Sequence, residues 1–231
     1  MAHAPRPPEL TRRDRFVRRV VAARRVYAVA GESGLARVPS RALPGREVTL
    51  LWSAREEAQR WASLVAVNPR VKDLPLSEAL GDLLPALTRA GRLIGTDWTS
   101  DEIEPEAEPE AVADALRVQT VETFVSRCAT AGRVWLLEDS AGPALLVAAA
   151  RPGQLVLPCW ADRDSTEMRI EGPWVDMLAT DVPLANFLDV TLPWLAERDW
   201  HVCPDHMSGA GGLELEPAEI TARFRRARSA A

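Results

Sequence analysis

Lysine is almost missing: among 28 basic residues, Lys72 is the single lysine and the rest are arginines. With alanine and proline so frequent, this reads as the codon bias of a GC-rich genome and not as a binding signature. Cysteine occurs three times. Cys128, Cys159 and Cys203 are odd in number and far apart, so a disulfide framework is not expected. No run of about 18 apolar residues occurs, so no membrane-spanning helix is expected. Met1–Pro8 is polar and proline-rich and lacks the apolar stretch of a secretory signal. A glycine-rich phosphate loop, a metalloprotease helix and a nucleophile elbow are also missing. These absences lead us to expect a reduced, soluble, cytoplasmic protein with no membrane partner and no cofactor.

What is present is a chain of 231 residues, 47% hydrophobic, enough for one large core or two ordinary ones. Shifted by about 108 residues, it aligns with itself without a gap. Phe16-Val17 falls on Phe124-Val125, and Arg25-Val26-Tyr27 on Arg133-Val134-Trp135. Pro44-Gly45 meets Pro152-Gly153, Trp52 meets Trp160, and Arg55 meets Arg163. Leu84-Pro85 meets Leu192-Pro193, Asp97 meets Asp205, and Pro109 meets Pro217. Roughly 27 of roughly 102 aligned positions are identical, where this composition would give about 8 by chance. The matches fall on glycine, proline, tryptophan and periodic apolar positions, which set backbone shape and core. We therefore expect two tandem copies of one domain, at residues 9–117 and 118–228.

Each copy opens on an amphipathic helix, with Leu10, Phe16, Val17, Val20 and Val21 on one face, and Val118, Val121, Phe124, Val125 and Cys128 in the second copy. Three short strands follow, then a helix after the shared tryptophan. A second helix starts at Leu76 and Leu184 with apolar residues at helical spacing. Pro85 and Pro193 lie inside it and should kink or restart it, because proline removes a backbone donor. A strand (Arg92–Thr96; Trp200–Cys203) and a last helix from Pro109 or Pro217 complete the unit. This order predicts an α+β fold, each copy a small, mostly antiparallel sheet packed with helices. From Glu110 to Ala131 there is no glycine or proline, so the last helix of the first copy should run into the first helix of the second.

Phe124 with Arg133-Val134-Trp135, Leu157-Pro158-Cys159-Trp160, Gly172-Pro173-Trp174, Phe187-Leu188, Leu192-Pro193-Trp194-Leu195, Val202-Cys203-Pro204 and Glu216-Pro217 form a spaced aromatic–proline pattern. In this, the stretch Val118–Arg228 resembles the bacterial domain-of-unknown-function family 2750 (DUF2750). The first copy keeps Trp52 and Pro85, but has Leu50, Ala66 and Ala86 where the second has Pro158, Trp174 and Trp194. The resemblance supplies no established activity and so implies no catalytic residue.

The residue types that can carry chemistry are few. His201, Cys203, Asp205 and His206 lie within six positions, a spacing that can ligate zinc, but the first copy has Leu93, Gly95, Asp97 and Trp98 there, so no metal site is expected. Asp97 and Asp205 should cap backbone donors at a strand end. Cys159 could be proposed as a nucleophile; its counterpart Leu51 argues for a core residue. Arg55 and Arg163 follow the shared tryptophans at Trp-x-x-Arg spacing, which can stack a guanidinium on an indole. The arginines of Arg12–Arg25 surround a helix with an apolar face and an interrupting Asp14, which argues against nucleic acid. The acidic run Asp101–Glu110 reads as an exposed face.

The function these features favour is a non-catalytic protein-interaction module with a protein partner; neutralising or chaperoning that partner, as a small immunity protein does, is one form of it. The expected surface is Trp160, Arg163, Trp174 and Trp194, with no catalytic, cofactor-binding or metal residues. The alternative is a small-ligand binder or enzyme whose site lies in the second copy.

Overall fold

The computed structural model describes residues 11–99, 106–149, 151–207 and 212–229. Met1–Pro8, Leu10 and the acids Asp101, Glu102 and Glu104 lie outside the described residues. Contacts divide the chain into Met1–Leu116 and Arg117–Ala231.

In the first unit, α1 (Arg12–Ala23) leads into β1 (Arg25–Gly31), β2 (Gly34–Leu35), β3 (Arg37–Pro39) and β4 (Glu47–Trp52). Then come α2 (Arg55–Val65), β5 (Arg70–Pro75), α3 (Leu76–Glu78), α4 (Leu84–Arg89), β6 (Leu93–Thr96) and α5 (Pro109–Ala131). The second unit repeats this order from the latter part of α5: β7 (Arg133–Asp139), β8 (Gly142–Pro143), β9 (Leu146–Val147), β10 (Leu155–Cys159), α6 (Arg163–Glu167), β11 (Leu178–Pro183), α7 (Leu184–Asn186), α8 (Leu192–Ala196), β12 (His201–Pro204) and α9 (Pro217–Ser229). The equivalent elements keep the offset of the sequence repeat.

Local chemistry explains the boundaries. Thr11 and Asp14 form a capping box at the start of α1. Gly132, at φ 68°, closes α5 and sends its N–H to the Cys128 carbonyl. The prolines inside the repeated helix are accommodated by widening it. A π-helical stretch, Ala79–Leu83 in one unit and Phe187–Thr191 in the other, precedes each proline. Leu84 and Leu192 donate to the carbonyls of Ala79 and Phe187, one residue further back than in an α-helix. This moves backbone away from the proline ring, which would otherwise meet the carbonyl four residues earlier.

One strand per unit is not legible in the sequence. β5 pairs antiparallel with β1 from Arg25↔Pro75 to Ala30↔Arg70, and β11 pairs with β7 from Arg133↔Pro183 to Glu138↔Leu178. Both are charged or half-exposed edge strands, so they lack the apolar alternation that marks a half-buried strand. β1–β6 form one six-stranded sheet, whereas in the second unit β11-β7-β8 and β12-β10-β9 are two three-stranded sheets joined by the bridge Trp135↔Trp160; all pairs are antiparallel except β4–β6 and β10–β12. In the second unit one core lies between strands of both sheets and the helices α5, α7, α8 and α9: Phe124, Phe187, Leu192 and Phe224 against Val134, Leu157, Cys159 and Val202. Leu137, Ala144, Trp160 and Trp174 cover the other side.

α5 runs unbroken through 23 residues across the boundary of the two units. Thr120 and Val121, poor helix formers, are buried in it, and Val121, Phe124, Val125 and Cys128 enter the second core. Packing therefore outweighs propensity here. Limited trypsin digestion of the native chain should leave the bond after Arg117 intact, because a protease needs an unfolded stretch. Rapid release of two stable halves cut between Arg117 and Glu122 would contradict the continuous helix. Among the described residues no helix is long and apolar enough to cross a membrane.

Candidate functional site

The four residues marked for a surface separate into two groups. Trp160, at the end of β10, is 0% exposed, and its indole N–H donates to the His206 carbonyl at 3.1 Å. Trp174 sits in a 3-10 turn, Gly172–Trp174, and is 9% exposed. Its ring meets Trp160 edge-on at 6.4 Å and His206 at 6.2 Å. These two tryptophans are core, which corrects the expectation of surface residues. The reason lies in the helix after the shared tryptophan. In the first unit, α2 is 11 residues long and covers Trp52 with Ala58, Ala62 and Trp61, whose ring lies 6.2 Å from that of Trp52. In the second unit α6 has only 5 residues, and Trp174 reaches in to cover Trp160. Trp174 thus replaces Trp61 as a packing partner from a different chain position.

Arg163 and Trp194 do reach solvent, on different elements. The exposed Arg163 bonds Glu167, one turn along α6, at 2.6 Å. The guanidinium found over an indole is that of Arg198, 4.8 Å from the centre of the Trp194 ring. Arg198 also donates to the Trp194 carbonyl at 3.1 Å. Trp194, half-buried on α8, meets the half-buried Trp200 edge-on at 5.2 Å. Trp200 is one of the five tryptophans of the second copy, with Trp135, Trp160, Trp174 and Trp194, from which an exposed aromatic patch is expected; Arg198 is the residue sequence reasoning missed, although its i, i+4 spacing from Trp194 carries that signal.

The remaining candidates do not assemble into chemistry. His201 is buried, with Nε2 at 2.8 Å from the Arg151 guanidinium. Cys203 Sγ lies 3.7 Å from His206 Nδ1. Among the described residues no group of three or more His, Cys, Asp or Glu side chains could hold a metal ion. Burial raises all three thiols: Cys203 is pushed up to about 12, and Cys128 and Cys159 are raised as well. Such thiols stay protonated and are poor nucleophiles, which removes Cys159 from that role.

A family model described as Protein of unknown function (DUF2750) matches residues 13–116 and, again, 121–224. The chain belongs to the DUF2750 family. No curated protein matches it. Two solved structures overlap it weakly. One is Anabaena Tic22 (protein transport), at 12% identity and TM-score 0.25, covering 94% of this chain and 98% of that one. The other is Tic22 from Plasmodium falciparum, at 9% identity and TM-score 0.25, covering 93% and 98%. Likenesses this slight bear on neither fold nor role.

The two DUF2750 units share a set of bonds. Trp52 Nε1 donates to the Trp98 carbonyl as Trp160 donates to that of His206, both at 3.1 Å. Asp97 accepts the Ser53 backbone N–H at 2.7 Å and its hydroxyl at 2.8 Å; Asp205 accepts the Ala161 N–H at 3.2 Å. Both aspartates hold positive φ, 48° and 47°, and cap the strand end as their residue type leads one to expect. Burial, partly offset by the bonds from Ser53, raises the Asp97 carboxyl above its ordinary value. The ion pair Arg25–Asp73 (2.7 Å) recurs as Arg133–Asp181 (3.1 Å). The DUF2750 units differ at the exposed end of α8: the counterparts of Trp194, Arg198 and Trp200 are Ala86, Ala90 and Arg92.

Proposed function

We propose that this chain is a protein-interaction module whose contact surface is centred on Trp194, Arg198 and Trp200 of the second unit. The observation that carries this is the half-exposed tryptophan pair with an arginine stacked on it, present in one copy of the fold and replaced in the other. Tryptophan and arginine give interfaces their largest energies: tryptophan presents broad apolar area and one polar group at little entropic cost, and arginine a planar fork of donors that also stacks on aromatic faces. Val190, four residues before Trp194, is 63% exposed and extends the apolar area. Glu197 and Asp199 flank Arg198, which disfavours a phosphate backbone or an anionic membrane and favours a protein partner. Three free, buried thiols accord with a reducing, cytoplasmic setting.

Affinity capture from native lysate tests this with the full chain and two variants. Trp194→Ala with Arg198→Glu should weaken retention of a specific partner by about 2 kcal/mol, roughly thirtyfold. Ala90→Glu, the matched change in the first unit, should leave retention unchanged. Equal retention by the intact chain and the second-unit variant would overturn the assignment.

A further inference from the structure

We propose that His206 is a proton-sensitive latch on the second unit, holding the Trp160–Trp174 cluster closed at neutral pH and releasing it in acid. The first unit has no counterpart, because the equivalent position is Trp98.

The geometry places an ionisable ring where the other copy keeps a plain aromatic one. The His206 imidazole stands against the edge of Trp174 at 6.2 Å, and its Nδ1 faces Cys203 Sγ at 3.7 Å. The His206 carbonyl accepts the Trp160 indole N–H, and the neighbouring Asp205 caps Ala161 at the start of the turn into α6. Moving this turn therefore disturbs the Trp160 anchor and the entry to α6 together. The charged and titratable groups facing the ring are Arg169 from the segment after α6, Glu214 from the segment before α9, and the Cys203 thiol on β12. Burial, then the Arg169 charge, lowers the affinity of His206 for a proton below its ordinary 6.5, against a smaller opposing effect of Glu214.

The sign follows from linkage. The unfolded unit takes up the proton more readily than the folded one, so the stability His206 confers is complete above about pH 6.5 and is lost as the pH falls below it. A protonated ring leaves the aromatic slot for water, and the Trp160 and Trp174 rings lose their cover.

Hydrogen exchange of the full chain, corrected for intrinsic rates, tests the latch between about pH 7.5 and about pH 5. Residues 155–178 and 201–207 should lose protection several-fold on acidification, while their first-unit equivalents, 47–70 and 93–99, should not. In His206→Phe, which fills the slot without titrating, the selective loss should vanish. Should that variant already lack protection at neutral pH, the pair Cys203→Gly with His206→Trp, which copies the first unit, decides in its place. Equal responses of the two units in the intact chain, or a selective loss that persists in the deciding variant, would overturn the proposal.

Discussion

Trp160→Ala should destabilise the second unit by about 3–5 kcal/mol, and Trp52→Ala should do the same to the first. Both indoles are fully buried, so truncation removes a large apolar side chain from a packed site and leaves a cavity. Each also leaves one carbonyl, the buried one of Trp98 or the part-buried one of His206, without its indole donor. Trp174 has already moved in to cover Trp160, and Trp61 to cover Trp52, which leaves little slack for collapse into the hole. Urea denaturation of the two variants and the parent measures this. A loss below about 1 kcal/mol at either site would place that tryptophan outside the core.

Gly95→Cys is the second large effect, and its origin is volume. A β-carbon built on Gly95 lies 2.6 Å from Cε2 of Trp98 and 2.8 Å from Cδ2 of Leu50, so two side chains must shift to admit it. The second unit carries Cys203 at this position and has the smaller His206 and Pro158 where Trp98 and Leu50 stand. The copies have thus diverged by compensating exchange: a wide indole beside a glycine in one, a thiol beside an imidazole in the other. Gly95→Cys alone should cost about 1–3 kcal/mol, the usual cost of overpacking. Adding Trp98→His should recover much of that loss in the same denaturation experiment, because the two positions share one space. Strict additivity of the two changes would show that they do not.

The comparison of the two halves explains what the sequence could and could not convey. The gap-free repeat marked Trp52 and Trp160 as equivalent, and their matching bonds follow from a shared backbone path. Asp97 and Asp205 were legible for the same reason: a short acidic side chain repeated at a strand end has few roles other than capping. The edge strands β5 and β11 were not legible, since an edge needs only one paired side and tolerates charges such as Arg70 and Lys72. The tryptophans that looked like a surface failed on a different ground. Whether an aromatic ring is covered depends on how far the neighbouring helix extends. In the second unit α6 already ends at Glu167, and the separate 3-10 turn Gly172–Trp174 brings the Trp174 ring inward onto Trp160. At α8 the opposite holds: the counterparts of Trp194 and Trp200 are Ala86 and Arg92, so the fold does not require indoles there, and they are left half in solvent.

One fold occurs twice in this chain, and the copies differ in what they leave exposed. A crystal structure of the full chain, with residues 11–99 superposed on 119–207 without a gap, tests it most directly. The Trp52 and Trp160 indoles should overlay, each donating to the carbonyl of its own unit's turn after Asp97 or Asp205, with Trp194 and Trp200 at the positions of Ala86 and Arg92. Indoles in non-equivalent places, or a superposition that requires an insertion, would contradict it.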